Sequence, residues 1–277
     1  MDIHRSNLFQ MKISPLTPNE LSLTDQLRPP DWTDLTIPFG FYLDQSFCYP
    51  VKVVHHHEII GLGCAIIFEK SAWLAHIIVS ENYRKQGIGG RIVEYLLNDI
   101  QSKGIQTISL LATDLGEPVY LRAGFQTTGE YLFLERKKNS ATFPISGKIQ
   151  SYQPDFYQPI VQLDTFVSGE NRERLLKLFI KRSVVFIENH EIKGYYLPGL
   201  GDGPVCAKTP EAGFSLMAHK YADINQASLP TDNHSGLLFY KQLGFEHTGR
   251  IAKRMVWGEK YSWKPEMIYN RIGGNLG

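Results

Sequence analysis

Residues 84–90 read Arg84-Lys85-Gln86-Gly87-Ile88-Gly89-Gly90. A glycine-rich stretch that opens a helix leaves several backbone N–H groups unpaired at the positive end of the helix dipole, an arrangement suited to phosphate oxygens. Gly87 and Gly89 remove the Cβ atoms that would hold an anion away from the backbone. Arg84 and Lys85 add positive charge. Two familiar phosphate loops are excluded. A Walker loop ends in Gly-Lys-Ser/Thr, whereas Arg91 and Ile92 follow Gly90 here. A dinucleotide fingerprint needs a third glycine where Ile92 stands.

The flanking elements put this loop at a strand-to-helix junction. Trp73-Leu74-Ala75-His76-Ile77-Ile78-Val79 reads as a strand by its length and β-branched content. Ile92, Val93, Leu96, Leu97 and Ile100 form an apolar stripe at helical spacing. Thr107 to Ala112 reads as a further strand, and Tyr120-Leu121-Arg122-Ala123-Gly124-Phe125 follows. Two side chains here can move protons, the Tyr120 phenol and His76, which titrates near neutrality. Strand alternation places His76 and Ile78 on one face, Ile77 and Val79 on the other.

The pattern Arg84-x-x-Gly87-x-Gly89, followed by Tyr120-x-x-x-Gly124-Phe125, resembles the GNAT superfamily of acyl-CoA N-acyltransferases. The order of elements is also similar: strand, loop, helix, strand, short helix with Tyr, turn, strand. The resemblance implies an α/β (α+β) fold with a mixed, mostly antiparallel sheet flanked by helices. It implies acetyl-CoA as cosubstrate, its pyrophosphate held by Arg84, Lys85, Gln86, Gly87, Ile88, Gly89 and Gly90. Ile77, Ile78 and Val79 would line the thioester, with a backbone N–H near Ile78 or Val79 polarising its carbonyl. Tyr120 would be the general acid toward the CoA sulfur. The base stays open between His76, Glu69 and a chain of waters. The function implied is transfer of an acetyl group to a primary amine of a small molecule or peptide. The alternative is a non-catalytic acyl-CoA-binding regulatory protein of the same fold.

The second half repeats part of the first. Tyr240-Lys241-Gln242-Leu243-Gly244-Phe245 copies the Tyr120 element, and Asn233, Gly236 and Phe239 extend it. Two GNAT-like domains in tandem are expected, 1–143 catalytic and 144–277 lacking the cosubstrate, with a linker-like stretch over 139–158. In the second copy, a strand at Ile192 to Leu197 leads into Pro198-Gly199-Leu200-Gly201-Asp202-Gly203-Pro204. Pro198 stands where an Arg or Gln is wanted, and Asp202 brings negative charge to the place of a pyrophosphate. The next helix starts later, with Thr209 as N-cap and Pro210 in the first position. Leu163 to Leu176 and Arg254 to Gly258 resemble the C-terminal part of bacterial two-domain relatives more loosely.

Elsewhere, Val51–Val54 and Ile59–Phe68 read as a hairpin, with His55, His56 and His57 at a solvated turn rather than a metal site. Residues 28–50, rich in Pro and aromatics, are candidates to line the acceptor pocket. The chain has 277 residues and a net charge of +1, which gives no electrostatic case for nucleic acid. Arg136-Lys137-Lys138 reads as a solvated strand end. With 43% hydrophobic residues there is material for two cores. The three cysteines, Cys48, Cys64 and Cys206, point to reduced thiols in a cytoplasmic protein. Met1 to Arg5 lacks the apolar core of a signal peptide, and no membrane span or metal is expected. The partners expected are acetyl-CoA and an amine, with the chain a monomer or homodimer.

Overall fold

The computed structural model describes residues 11–30, 32–137, 146–221 and 224–277. The division expected at 143/144, the 139–145 part of the linker, Lys138 and the Met1–Arg5 segment lie outside them. The first half holds β1 (Lys12–Pro15), a 3-10 helix (Pro18–Leu27), α1 (Thr36–Asp44), β2 (Cys48–His55), β3 (Glu58–Ile67) and β4 (Ser71–Val79). It continues with α2 (Ile88–Ser102), β5 (Thr107–Ala112), α3 (Glu117–Arg122) and β6 (Gln126–Glu135). The second half holds β7 (Ile149–Ser151), α4 (Tyr157–Ser168), α5 (Glu173–Leu176), β8 (Val184–Glu188), β9 (Glu191–Tyr196) and β10 (Val205–Ala207). It ends with α6 (Pro210–Lys220), β11 (Gln226–Pro230), α7 (His234–Gln242), β12 (Glu246–Gly258) and β13 (Ile268–Asn270).

α2 forms because its apolar residues repeat on one face: Ile88, Ile92, Val93, Leu96, Leu97 and Ile100 are all buried. Each such side chain stabilises the fold by roughly 1.5–3 kcal/mol relative to exposure. The helix lies close to the sheet because β3 presents Gly61 and Gly63 beneath it. A Cβ on Gly63 would sit 2.6 Å from Ile92 Cγ2 and 3.0 Å from Ile77 Cδ1.

The sheets cross between the two halves. One sheet has the order β1-β2-β3-β4-β5-β12-β6-β11, the other β13-β10-β9-β8-β7. β12, far along the second half, lies between β5 and β6 and is antiparallel to both. It is locked there by Arg254, whose guanidinium donates to Thr128 Oγ1 (2.9 Å), Ser109 Oγ (3.3 Å) and Tyr261 Oη (2.7 Å). The halves also meet at Glu170, whose carboxylate accepts from the Trp73 indole at 3.0 Å. Residues from both sides of the expected division therefore share one sheet.

The repeated element folds alike in both places. Phe125 N–H donates to the Tyr120 carbonyl and Phe245 N–H to the Tyr240 carbonyl, each at 3.0 Å. Gly124 and Gly244 supply the positive φ, +92° and +76°, that the turn needs.

Two local readings change. His56 and His57 form the exposed turn of the β2–β3 hairpin with positive φ, but His55 is buried, its ring 5.7 Å from that of Tyr83. Arg136 does not end in solvent: it donates from Nε to Asn225 Oδ1 (3.3 Å), bonds the Tyr221 carbonyl and covers the Phe245 ring at 4.9 Å. It thus ties the end of β6 to the second half.

Candidate active site

The site begins where β4 and β5 part. Their parallel pairing runs from Ser71↔Thr107 to Trp73↔Ser109 and stops, although β4 continues to Val79 and β5 to Ala112. Past Trp73 the β5-facing backbone of β4 has lost its ladder partner, so a wedge opens between two strands.

A bulge adds to the opening. Cys64 pairs with Ala75 and Leu62 with Ile78, so Gly63 faces both His76 and Ile77. His76 takes φ +51°, an uncommon left-handed value for a residue with a Cβ. The extra residue resets the alternation. Leu74, Ile77 and Val79 pack with α2, while Trp73, Ala75 and Ile78 pack on the opposite core. His76 joins that opposite side, among Trp32, Phe39 and Tyr42, with ring centroids at 5.5, 5.7 and 5.6 Å. Without the bulge, the phase set by Leu74 would turn it under α2.

The 84–90 loop sits at the end of β4. Arg84 Nε donates to the Val79 carbonyl (3.2 Å) and Nη1 to Glu81 (3.1 Å), so this side chain anchors the loop to the strand. Lys85 (φ +61°) and Gly87 (φ +81°) turn the chain into α2. The N–H groups of Lys85 through Gly90 donate to no other described residue; the first one used is Arg91, which donates to the Gly87 carbonyl at 3.1 Å. A Cβ at Gly87 or Gly90 would meet nothing within 4 Å, and at Gly89 only Val79 Cγ2 at 3.8 Å. Unpaired backbone donors beside open space at a helix start suit an anion such as a phosphate.

Tyr120, on α3, is buried, and burial raises its phenol well above its ordinary pKa, so it keeps its proton. Its hydroxyl makes no hydrogen bond to another described residue and is open at its tip. Glu69 lies in the β3–β4 turn, at the far end of β4 from the bulge, and accepts from Asn171 at 3.0 Å. It is thus removed from the wedge.

His76 Nδ1 is 2.8 Å from the Tyr42 hydroxyl, which also accepts from Asn275 Nδ2 at 3.0 Å. Burial pushes the imidazole down to about 4, so it is neutral at pH 7. Tyr42 lies in the aromatic 28–50 segment; Asn275 gives no sequence signal at all, since a single amide 199 residues after His76 stands in no motif.

The second half shows the reverse polarity. Its 198–204 loop is closed by its own chain: Asp202 N–H donates to the Ile272 carbonyl at 2.5 Å, and a Cβ on Gly201 would lie 2.1 Å from that oxygen. The loop turns carbonyls inward. Those of Asp202 and Gly203 accept from Lys220 Nζ and from Asn270 Nδ2. α6 starts later, at Pro210, capped by the Thr209 hydroxyl on Ala212 N–H (3.3 Å). A loop that points oxygens at a lysine offers no cradle to an anion. Among the described residues no group of His, Cys, Asp and Glu is placed to hold a metal. No helix among them is long and apolar enough to cross a membrane.

Wedge, bulge, donor loop and phenol all belong to the β4–α3 stretch of the first half. The family model of the Acetyltransferase (GNAT) family matches residues 17–125. An uncharacterized N-acetyltransferase of Bacillus subtilis, YitH, is 24% identical over 174 residues, covering 58% of this chain and 60% of that protein. The chain thus spans less than two thirds of that relative's length. An acetyltransferase-like structure from Pyrococcus horikoshii superposes with TM-score 0.81 at 20% identity, over 97% of this chain and 96% of that one. A tandem GNAT protein of the clavulanic acid pathway matches with TM-score 0.61 at 11% identity, over 91% of this chain and 99% of the other. At these identities the likeness is one of fold.

Proposed function

We propose that this protein transfers an acetyl group from acetyl-CoA to a primary amine of a small molecule or peptide, with one active site, in the first half. The observation that carries the reading is the run of free N–H groups from Lys85 to Gly90 beside the open end of β4. The fold alone would support many activities. Acetyl-CoA, when bound, supplies an activated thioester, whose carbonyl carbon takes the amine and whose sulfur leaves as thiolate.

The residues of the chain do the rest. Lys85, Gln86, Gly87, Ile88, Gly89 and Gly90 hold the pyrophosphate through their backbone, and Arg84 keeps that loop on β4. Ile77, Ile78 and Val79 line the wedge, where backbone N–H groups freed from the ladder steady negative charge on the acyl oxygen. Tyr120, protonated and unpartnered, gives its hydrogen toward the departing sulfur. The second half, 144–277, takes no cosubstrate and completes the sheet through β12.

The test is release of CoA from acetyl-CoA across a panel of primary amines, paired with calorimetry. Turnover with one bound acetyl-CoA per chain supports the proposal. Tight binding without turnover on any amine would favour a regulatory acyl-CoA sensor instead.

A further inference from the structure

The end of the second half reaches the aromatic side of β4, where His76 lies. Ile272 N–H donates to the Gly277 carbonyl (2.7 Å), and Gly277 N–H to that of Gly273 (3.1 Å), so residues 272–277 form a closed turn. Leu276 is buried in the shared core, and Gly277 packs on the Trp73 ring. This turn holds Asn275 against Tyr42, and Tyr42 against His76.

Hydrogen atoms can be counted along this chain of contacts. Asn275 Nδ2 has only hydrogens to give, so Tyr42 Oη accepts there. The one Tyr42 hydrogen is then free for His76 Nδ1. If Nδ1 carried the proton instead, it would also donate to Tyr42, and the Tyr42 hydrogen would be stranded in a buried site, at a cost of about 1–3 kcal/mol. Tyr42 is 1% exposed, and burial holds its phenol protonated. A neutral imidazole with Nδ1 accepting carries its hydrogen on Nε2. Nε2 has no partner among the described residues and is open rather than sealed in.

We propose that Asn275 and Tyr42 are positioning residues that fix His76 in the Nε2–H tautomer, so that His76 faces the acyl acceptor as a neutral hydrogen-bond donor and not as the base that deprotonates the amine. This rests on the N-acyltransfer reading for its catalytic meaning, though not for the tautomer. The amine proton then leaves to solvent water. It also gives the second half a task at the active site: its final turn selects which imidazole nitrogen is presented.

The test uses full-length protein with isotope-labelled histidine, the His76 signal being assigned by its loss in His76→Gln. The nitrogen spectrum of the parent at neutral pH should show hydrogen on Nε2 and a lone pair on Nδ1. In Asn275→Asp the carboxylate only accepts; the Tyr42 hydrogen turns to it, and the His76 proton should move to Nδ1. In Tyr42→Phe both tautomers should appear. With a working amine, Asn275→Asp should lower kcat roughly tenfold or more, in the range of a lost positioned donor, with KM for acetyl-CoA unchanged. A parent with its proton on Nδ1, or an Asn275→Asp tautomer identical to the parent, overturns the assignment. A switched tautomer with undiminished kcat overturns the donor role. Should no amine be turned over, the acyltransfer reading fails while the tautomer result still stands or falls by the spectrum.

Discussion

Tyr120 and Tyr240 hold the same place in two copies of one turn, yet only Tyr240 has its hydroxyl engaged. Tyr240 Oη donates to the Tyr269 carbonyl (2.9 Å) and lies 2.7 Å from Tyr221 Oη, which itself reaches Asn270 Oδ1 at 2.8 Å. In the second copy the phenol has become part of a buried hydrogen-bond network; in the first its hydroxyl bonds to no other described residue.

That difference predicts opposite outcomes for the same substitution. Tyr120→Phe should lower kcat by roughly ten- to a thousandfold, with acetyl-CoA affinity and thermal stability little changed. Tyr240→Phe should leave turnover per folded molecule intact and cost about 1–3 kcal/mol, since buried partners lose a hydrogen bond. Steady-state kinetics and urea unfolding of both variants decide it. A larger loss of kcat at Tyr240 would place the active site in the wrong half.

The glycine loops make a second contrast. Gly89→Glu should fold, because its Cβ meets only Val79 Cγ2 at 3.8 Å, and should abolish acetyl-CoA binding by clash and like-charge repulsion. Gly201→Ala should damage the fold, because its Cβ falls 2.1 Å from the Ile272 carbonyl oxygen. Calorimetry on the full chain should give one site for the parent and none for folded Gly89→Glu. Residual binding in that variant would mean a second cradle elsewhere.

Stability should fall with acid through His76. Its folded value, about 4, lies below the ordinary 6.5. Above pH 6.5 the imidazole is neutral in both states. As pH drops from 6.5 toward 4, the unfolded chain takes a proton the folded chain refuses, so unfolding is favoured by an increment that saturates near 3 kcal/mol. Denaturant titrations at pH 7.5 and 4.5, compared between the parent and His76→Phe, isolate this contribution. An equal acid sensitivity in both proteins would contradict it.

β12 should make the two halves one folding unit. Arg254 is 3% exposed and bridges β5 and β6 while stacking on Trp263 at 4.4 Å. Arg254→Ala should destabilise the whole protein by roughly 3 kcal/mol or more, through lost packing and stranded partners. A single unfolding transition, shifted as a whole, is expected; loss confined to the second half would show the halves to be independent.

The sequence by itself determined the parts that local chemistry specifies. The stripe from Ile92 to Ile100 made α2, the glycines at 87 and 89 opened its start, and the spacing of Tyr120 to Phe125 recurred at 240–245, because helical period, positive φ and turn geometry act over a few residues. Thr209 and Pro210 likewise marked where α6 begins. Tertiary structure decided the rest. That β12 enters between β5 and β6 follows from ladder pairing across about 140 residues, and β-branched runs carry no label for their partner. The bulge that swings His76 toward Tyr42 is a mismatch of register between two strands, visible in neither strand alone. Whether each tyrosine hydroxyl is free or bonded, and which nitrogen of His76 is presented, depends on Tyr269, Asn270 and Asn275, which the folded chain alone brings within hydrogen-bonding reach.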